Sequence, residues 1–409
     1  MLNRRHTIAW PRPSLMPPAA NIPSRDTLIE AAEAMVPSLR ERAADAEAAR
    51  RLPEASVCEL VDAGIHRIYQ PARFGGYEMD VALQLDLGAA LGRGCASSAW
   101  VAMFYATHPH VVGMMEPGAQ DDVWQREPDA LVANAFFTPE TNCREVEDGF
   151  VLDGTWTISS GVDHCAWNNL NVMIPRENGP PEHRFMLVPR ADYRILDDWD
   201  ANGMRATSSN SVALENVFVP AYRTLPTLEC RGGPTPGSVA SESYLYRLPL
   251  MTVFPAGAAV SAPGVAQGVL DATREMLGGR ANVAGARVGE LPTVHLRLSE
   301  AAAEIDSAMA LMRRDLEEID RLGSAGALPD MEARARYRRD WGYAVTLSAR
   351  AIDRLYPLGG AKGLGASNPV QRAWRDIHAQ AAHAALSWDI QGQHFGRAML
   401  GLPLSDPRI

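Results

Sequence analysis

The sequence lacks an excess of positive charge. Proteins that bind nucleic acids or anionic membrane surfaces usually have such an excess. Its 409 residues include 39 lysines and arginines against 49 aspartates and glutamates, which gives a formal net charge of −10. No long basic run and no basic patch interleaved with aromatic residues offsets this balance. The composition therefore argues against a nucleic-acid partner and against binding to an anionic membrane.

Paired cysteines and long apolar runs are also missing. The five cysteines are scattered and form no Cys-x-x-Cys pair, so we predict no bound metal and a reduced, cytoplasmic setting. No apolar run reaches the about 18–20 residues that a membrane-spanning helix needs, so no membrane partner is expected. Residues 1–23 are rich in proline and lack an apolar core, which is typical of a flexible arm and not of a signal peptide.

The pattern that the sequence does have is helical, then alternating, then helical again. Apolar residues follow helical spacing over 24–130, which predicts an N-terminal helical domain. Over 131–235, short alternating runs are separated by Asp-Gly turn signals, which predicts a central β domain folded as a small barrel or sandwich. Helical spacing returns over 236–409 and predicts a C-terminal four-helix bundle, so the expected fold class is α+β. Long helices are predicted at 296–322, 331–355 and 369–400.

Two histidines stand in surroundings that suit a binding site. His383 follows several alanines in the last predicted helix, and small neighbours leave room for a ligand beside the imidazole. His108 follows Trp100 and Phe104 at intervals of four, so the three share one helix face. A histidine titrates near neutrality and can take a proton from a phenol or an indole N–H. The alternative for each is a packed core histidine that is hydrogen-bonded to the backbone.

Four segments in the same order along the chain resemble the acyl-CoA dehydrogenase superfamily. They are FGGYE at 74–78, GTWTISSG at 154–161, GMRATSSN at 203–210, and LGGA at 358–361 with NPVQRAWRD at 368–376. That superfamily uses a glutamate to remove a substrate proton, and no matching glutamate is found near His383 or in 244–263. The segments around His108 and His383 are similar instead to two-component flavin-dependent monooxygenases, such as the oxygenase component of p-hydroxyphenylacetate 3-hydroxylase.

The resemblance implies a role for each of several residues. His383 would be the base, His108 would anchor the substrate, and Ser160 would accept a hydrogen bond from flavin N5, with Ser159 as the alternative in the strand register. The residues expected along the flavin are Trp156, Thr157, Ile158 and Ser159 on one strand, Asn134 and Phe136 on the opposing strand, and Arg205, Gly359 and Gly360 in loops. For Trp156 and Phe136 the alternative is plain β core, and for Arg205 it is a surface position.

The same resemblance implies the cofactor and the partners. Reduced flavin, FADH2 in preference to FMNH2, would come from a separate reductase and react with molecular oxygen to form a C4a-hydroperoxyflavin. That species would hydroxylate a small aromatic substrate of phenol or indole type. A homodimer or homotetramer is expected, because the glycine-rich loop of this superfamily approaches the flavin of a neighbouring protomer. The alternatives are an amine N-oxygenase similar to nitrososynthases, an acyl-CoA dehydrogenase, and a flavin carrier without catalytic activity.

Overall fold

A computed structural model of the protein describes most of the chain. The described residues are 22–176, 179–281, 285, 287–404 and 406. The predicted flexible arm at residues 1–23 therefore lies almost wholly outside the described residues. Within them, helices precede two β-sheets, and further helices follow the sheets.

The helices before the sheets surround one that is buried on every side. α5 consists almost entirely of apolar and small residues, and all twelve of its positions are buried, as expected for a helix without a polar face. It contacts α4, α8 and strand β1, and therefore lies between the helices and the sheets. The bounds are α1 (Arg25–Ala34), α2 (Val36–Ala49), α3 (Glu54–Asp62), α4 (Leu83–Gly92), α5 (Ala96–Thr107), α6 (Pro109–Met114) and α7 (Pro117–Trp124).

Two four-stranded sheets form the middle of the chain. The first has the strand order β1-β4-β5-β8, and the second has the order β2-β3-β7-β6. Only the β1–β4 pair is parallel among the paired strands of the described chain. The bounds are β1 (Val132–Ala135), β2 (Phe137–Val146), β3 (Gly149–Ser159), β4 (Trp167–Ile174), β5 (Glu182–Pro189), β6 (Arg194–Ile195), β7 (Asn210–Pro220) and β8 (Thr224–Pro226).

The two sheets pack against each other and do not close into a barrel. Each sheet has a linear strand order with different strands at its two edges, so the barrel alternative from the sequence is wrong. Strands β1 and β4 of one sheet contact β3 and β2 of the other. Apolar side chains such as Trp156 and Leu170 fill the core and are fully buried.

The helices after the sheets are arranged around α11, which contacts α8, α9, α10, α12 and α13. Most of the side chains of α11 are buried, because neighbours cover it on several sides. The bounds are α8 (Leu250–Ala259), α9 (Ala262–Leu277), α10 (Pro292–Ser324), α11 (Met331–Leu355), α12 (Pro369–Ala381) and α13 (Trp388–Met399).

The single helix predicted over 369–400 is wrong, because the chain breaks into α12 and α13 and His383 lies in the turn between them. Tertiary contacts hold the turn in place. The Leu386 side chain is buried, and its backbone oxygen lies so close to Gly342 that an added Cβ there would be 2.9 Å away. Gln391 donates a side-chain hydrogen bond to Ala384 O at 2.8 Å. These contacts override the high helix propensity of the alanines.

Within the described residues, one helical stretch, Leu250–Leu277, is long and apolar enough to cross a membrane by length and composition alone, contrary to the expectation that no apolar run is that long. It comprises α8 and α9. Protein atoms bury 83% of its most apolar window, which is the property of a core helix.

Candidate active site

Trp100 joins two of the residues that the sequence predicts to be catalytic. Its indole N–H donates to Ser160 Oγ at 3.2 Å, and its ring lies edge-on to the His383 imidazole with the centroids 5.5 Å apart. Trp100 belongs to α5, Ser160 follows β3 directly, and His383 lies between α12 and α13. The fold therefore brings together residues from three distant parts of the sequence.

A row of aromatic rings continues from Trp100 to the third predicted catalytic residue, His108. The Trp100 and Phe104 centroids are 4.7 Å apart, and the His108 ring stacks on Phe104 at 5.0 Å and on Phe254 at 5.5 Å. The Phe136 and Phe254 centroids are 5.1 Å apart. The shared helix face predicted for Trp100, Phe104 and His108 is thus confirmed, with His108 as the C-terminal cap of α5.

The backbone fixes which ring nitrogen of His108 carries the proton. Nδ1 lies 2.7 Å from Val132 O, and because a carbonyl can only accept, Nδ1–H is the donor. Burial lowers the pKa of His108 to about 4, so the ring is neutral at pH 7 and its Nε2 carries a lone pair. No residue in the described ranges bonds to this Nε2.

His383 has the opposite tautomer. The backbone N–H of Ala385 donates to His383 Nδ1 at 3.3 Å, so a neutral ring carries its proton on Nε2. Surrounding protein atoms, together with the positive charge of Arg338, lower the pKa of His383 to about 4. At pH 7 this ring presents an N–H donor at Nε2, whereas the predicted base role needs a lone pair there.

Ser160 and Ser159 point to different neighbours, as strand alternation requires. Ser160 Oγ bonds to Trp100 and, at 2.7 Å, to Ser209 Oγ. Ser159 Oγ accepts from Asn168 Nδ2 at 2.9 Å and is fully buried. Of the two serines, Ser160 is the one joined to the aromatic row.

The strand before Ser160 contains a β-bulge at the residues predicted to lie along a flavin. Between Trp156 and Ser159, strand β3 has one more residue than its partner β7, and Ile158 takes a left-handed φ of 61°. That conformation costs a β-branched residue about 1–3 kcal/mol and recurs at functional sites. The Ile158 side chain is 46% exposed and Thr157 is half-buried, whereas the fully buried Trp156 donates its indole N–H to Asn171 O.

Asn134 is buried on β1, and neither polar atom of its side-chain amide has a partner in the described structure. Asn169, its register neighbour on β4, is also buried, and both polar atoms of its side chain likewise have no partner in the described structure. Buried amides without partners are costly unless a ligand or water bonds to them. Phe136, two residues after Asn134 and just beyond the end of β1, contacts Phe254 of the aromatic row. Asn169 could not be found from the sequence, because only the register places it beside Asn134.

The side-chain bonds and close contacts of the three predicted loop residues are made outside this group in the described chain. Arg205 Nη1 donates to Asp200 at 2.8 Å and to Ala201 O, so a local carboxylate already pairs its charge. Gly359 and Gly360 follow α11, and Gly360 has φ 56° and ψ −155°, which only glycine adopts readily. The guanidinium of Arg280 lies against Gly360 and donates to Leu358 O. Flavin contact by these three residues stays a prediction.

Asp376, which the sequence analysis did not single out, ties α12 to the loop that holds Ser209. Its Oδ1 accepts the backbone N–H of Met204 at 2.6 Å. Burial raises the pKa of Asp376 to about 6, with a smaller contribution from the negative charge of Glu47. The motif RAWRD at 372–376 contained this signal, but only the fold shows which loop the carboxyl group reaches.

Replacing Asp376 with asparagine should stabilise the protein at alkaline pH relative to the wild type. The folded-state pKa of Asp376 is raised, so the folded state prefers the protonated acid. The contribution of Asp376 to the free energy of unfolding is therefore lost as the pH rises from about 4 through 6. Asparagine retains the acceptor for Met204. We expect the variant to gain about 3 kcal/mol over the wild type between pH 4 and pH 8. Urea unfolding at both pH values measures this difference, and a difference independent of pH would contradict it.

Comparison with known proteins supplies the family. Residues 256–388 match the family described as acyl-CoA dehydrogenase, C-terminal domain. The chain is similar to the FADH2-dependent resorcinol hydroxylase oxygenase component of Rhizobium sp. (strain MTP-10005), at 35% identity over 89% of this chain and 91% of the relative. It is 30% identical to the p-hydroxyphenylacetate 3-hydroxylase oxygenase component of Acinetobacter baumannii, over 92% of this chain and 89% of that protein.

The crystal structure of the HsaA monooxygenase from M. tuberculosis has a TM-score of 0.89 and 30% identity, covering 95% of this chain and all of that one. The chain belongs to the oxygenase components of the two-component flavin-dependent monooxygenases. The resemblance found in the sequence is confirmed, and so is the expected acyl-CoA dehydrogenase-like fold.

Membership of this monooxygenase family makes the protein an enzyme that uses reduced flavin. As an oxygenase component, it acts together with a separate reductase and on an aromatic substrate. The acyl-CoA dehydrogenase alternative lacks its carboxylate, because neither α8 nor the turn at 382–387 contains an acidic residue.

Proposed function

We propose that the protein uses reduced FAD and molecular oxygen to hydroxylate a phenol in the cytoplasm, as a homo-oligomer. The observation that carries this proposal is the opposite tautomers of His383 and His108. One imidazole offers a hydrogen-bond donor at Nε2 and the other offers an acceptor. A phenolic hydroxyl both accepts and donates, so it can bond to either imidazole, whereas an indole N–H can only donate.

Residues at the end of β3 fit a flavin. The exposed Ile158 would pack on the flat ring system, the Ser160 hydroxyl would bond to N5, and the unpaired amide of Asn134 would take a polar edge of the flavin. Reduced flavin, when bound, supplies the activation of oxygen that no side chain can perform. FAD is preferred to FMN because the resorcinol hydroxylase relative is FADH2-dependent.

The two histidines and the aromatic row would act on the substrate. His383 Nε2–H would donate to the phenolic oxygen and stabilise its anionic form, which makes the ring more electron-rich. His108 Nε2 would accept a hydrogen bond from the hydroxyl, which fixes the direction of that hydroxyl, and would take up its proton as the anionic form develops. Phe104 and Phe254 would exclude water from the ring and hold it in one plane.

The proposal predicts that phenols couple flavin oxidation to product better than indoles. The test mixes the protein with reduced FAD under nitrogen, adds oxygen with resorcinol, 4-hydroxyphenylacetate or indole, and measures product against hydrogen peroxide. We expect at least a tenfold higher ratio of product to peroxide for a phenol, since one charge-assisted hydrogen bond contributes about 1.5–3 kcal/mol.

Three other results would contradict the proposal. Equal coupling with indole would refute the phenol assignment. Reduction of bound oxidised flavin by an acyl-CoA would favour a dehydrogenase, and failure to bind flavin would favour a non-catalytic role. Repeating the mixture with FMN shows which flavin is used, and a mixture containing a generic flavin reductase tests the supply of reduced flavin.

A further inference from the structure

A chain of three hydroxyl groups extends from Ser160 into the loop before β7. Ser160 Oγ lies 2.7 Å from Ser209 Oγ, and Ser209 Oγ lies 2.7 Å from Thr207 Oγ1. Thr207 Oγ1 lies 2.8 Å from Met204 O. All three side chains are at least 96% buried, so solvent does not compete for these bonds.

The two ends of this chain fix the direction of every hydrogen bond in it. Met204 O is a carbonyl and can only accept, so Thr207 must donate to it. Thr207 then has no hydrogen left for Ser209, and Ser209 must donate to Thr207. By the same argument Ser160 must donate to Ser209.

At the other end, the indole N–H of Trp100 can only donate, so Ser160 Oγ accepts it. The one hydrogen of Ser160 is therefore committed to Ser209, and one of its two lone pairs is committed to Trp100. What remains at Ser160 is a single lone pair, which can accept a hydrogen bond and cannot donate one.

Flavin N5 changes its hydrogen-bonding character with its redox state. In reduced flavin N5 carries a hydrogen and donates, whereas in oxidised flavin N5 has only a lone pair and accepts. An acceptor at Ser160 matches the reduced form and opposes the oxidised form.

We propose that Thr207 and Ser209 are positioning residues that keep Ser160 an acceptor, so that the site binds reduced flavin in preference to oxidised flavin. This inference rests on the proposed function, because it needs a flavin whose N5 lies at Ser160. This preference would let the enzyme take up reduced flavin from a reductase and release oxidised flavin.

The loop that holds Thr207 and Ser209 is itself fixed. Met204 and Ser208 both have left-handed φ values, 54° and 46°, which the surrounding bonds maintain. Asp376 accepts the Met204 N–H, and Asn210 donates to Ser208 Oγ at 2.9 Å. The orientation of Thr207 therefore comes from the fold and does not need the ligand.

Thr207→Val tests the proposal, because a methyl group replaces the hydroxyl with little change of shape. Ser209 would lose its acceptor and could donate to Ser160, which would turn the Ser160 hydrogen towards the flavin. We expect the ratio of the FAD dissociation constants, oxidised over reduced, to fall about tenfold, the size of one reversed hydrogen bond. Both constants are measured by titration without oxygen, using FAD and dithionite-reduced FAD, so no turnover is involved.

Two further variants make the result decisive. Thr207→Ser keeps the hydroxyl and should keep a ratio close to that of the wild type. Ser209→Ala removes the acceptor of the Ser160 hydrogen directly and should lower the ratio as Thr207→Val does. It therefore tests the proposal even if Thr207→Val does not fold. If Thr207 and Ser209 had only a structural role, the substitutions would weaken the binding of oxidised and reduced FAD equally and leave the ratio unchanged.

An unchanged ratio in Thr207→Val and Ser209→Ala would overturn the inference while leaving the proposed function intact. A wild-type protein that binds neither redox form of FAD nor FMN would instead overturn the proposed function.

Discussion

Replacing His383 with alanine is expected to lower the hydroxylated product formed per reduced flavin oxidised by about 10- to 100-fold. The variant loses the Nε2–H donor that would stabilise the anionic oxygen of the substrate, and hydrogen bonds to charged groups contribute about 1.5–3 kcal/mol. Oxidation of the flavin itself should continue, so the missing product should appear as hydrogen peroxide. Product and peroxide are measured together in single-turnover reactions.

The glutamine variant separates the two roles that His383 could have. Gln Nε2 reaches about as far as His Nε2 and can donate, but an amide does not act as a base. If His383 donates, as its contact with Ala385 indicates, His383→Gln should retain most of the coupling that the alanine variant loses. A glutamine variant as uncoupled as the alanine variant would restore the base role predicted from the sequence. Unchanged coupling in both would make His383 a packing residue.

Replacing His110 with glutamine is expected to make the protein more acid-resistant by about 3 kcal/mol. Burial lowers the pKa of His110 to about 4 from its usual 6.5, and its Nε2–H donates to Leu245 O at 2.7 Å. Because the folded-state pKa is lowered, the unfolded chain takes up the proton first. The contribution of His110 to stability is therefore present above pH 6.5 and is lost as the pH falls towards 4.

The quantity to measure is the difference in free energy of unfolding between the His110→Gln variant and the wild type at each pH. Buried acids such as Asp376, whose pKa is raised to about 6, change stability in the opposite direction and cancel in this difference. From pH 7 to pH 4 the difference should shift in favour of the variant by about 3 kcal/mol. The exposed His295→Gln is the matched control. If the difference in free energy of unfolding stayed constant with pH, His110 would have the same pKa in the folded and unfolded states, contrary to the prediction.

The order of helices and sheets could be predicted from the sequence, because apolar spacing follows the buried face of each element. Residues 331–355 were predicted as one helix, and α11 has the same bounds. The break at His383 could not be predicted. The alanines from Ala379 to Ala385 have high helix propensity, and the packing of Leu386 and Gln391 against α11 ends the helix there.

The site shows the same division between local and distant information. The shared face of Trp100, Phe104 and His108 follows from helical spacing alone, and the structure confirms it. The protonation of the two site histidines does not follow from spacing, since it depends on Val132 O and on Ala385 N–H. Flavin contact by the residues at 156–159 stays a prediction.

The Trp100 indole bonds to Ser160 and packs against His383, and so it couples two parts of the enzyme that come from different domains of the chain. Under the proposed function, a change there would disturb both the flavin contact of Ser160 and the substrate contact of His383. Protein engineers who want new substrates should therefore diversify Phe254 and the half-buried Phe136 at the far end of the row and leave the indole untouched.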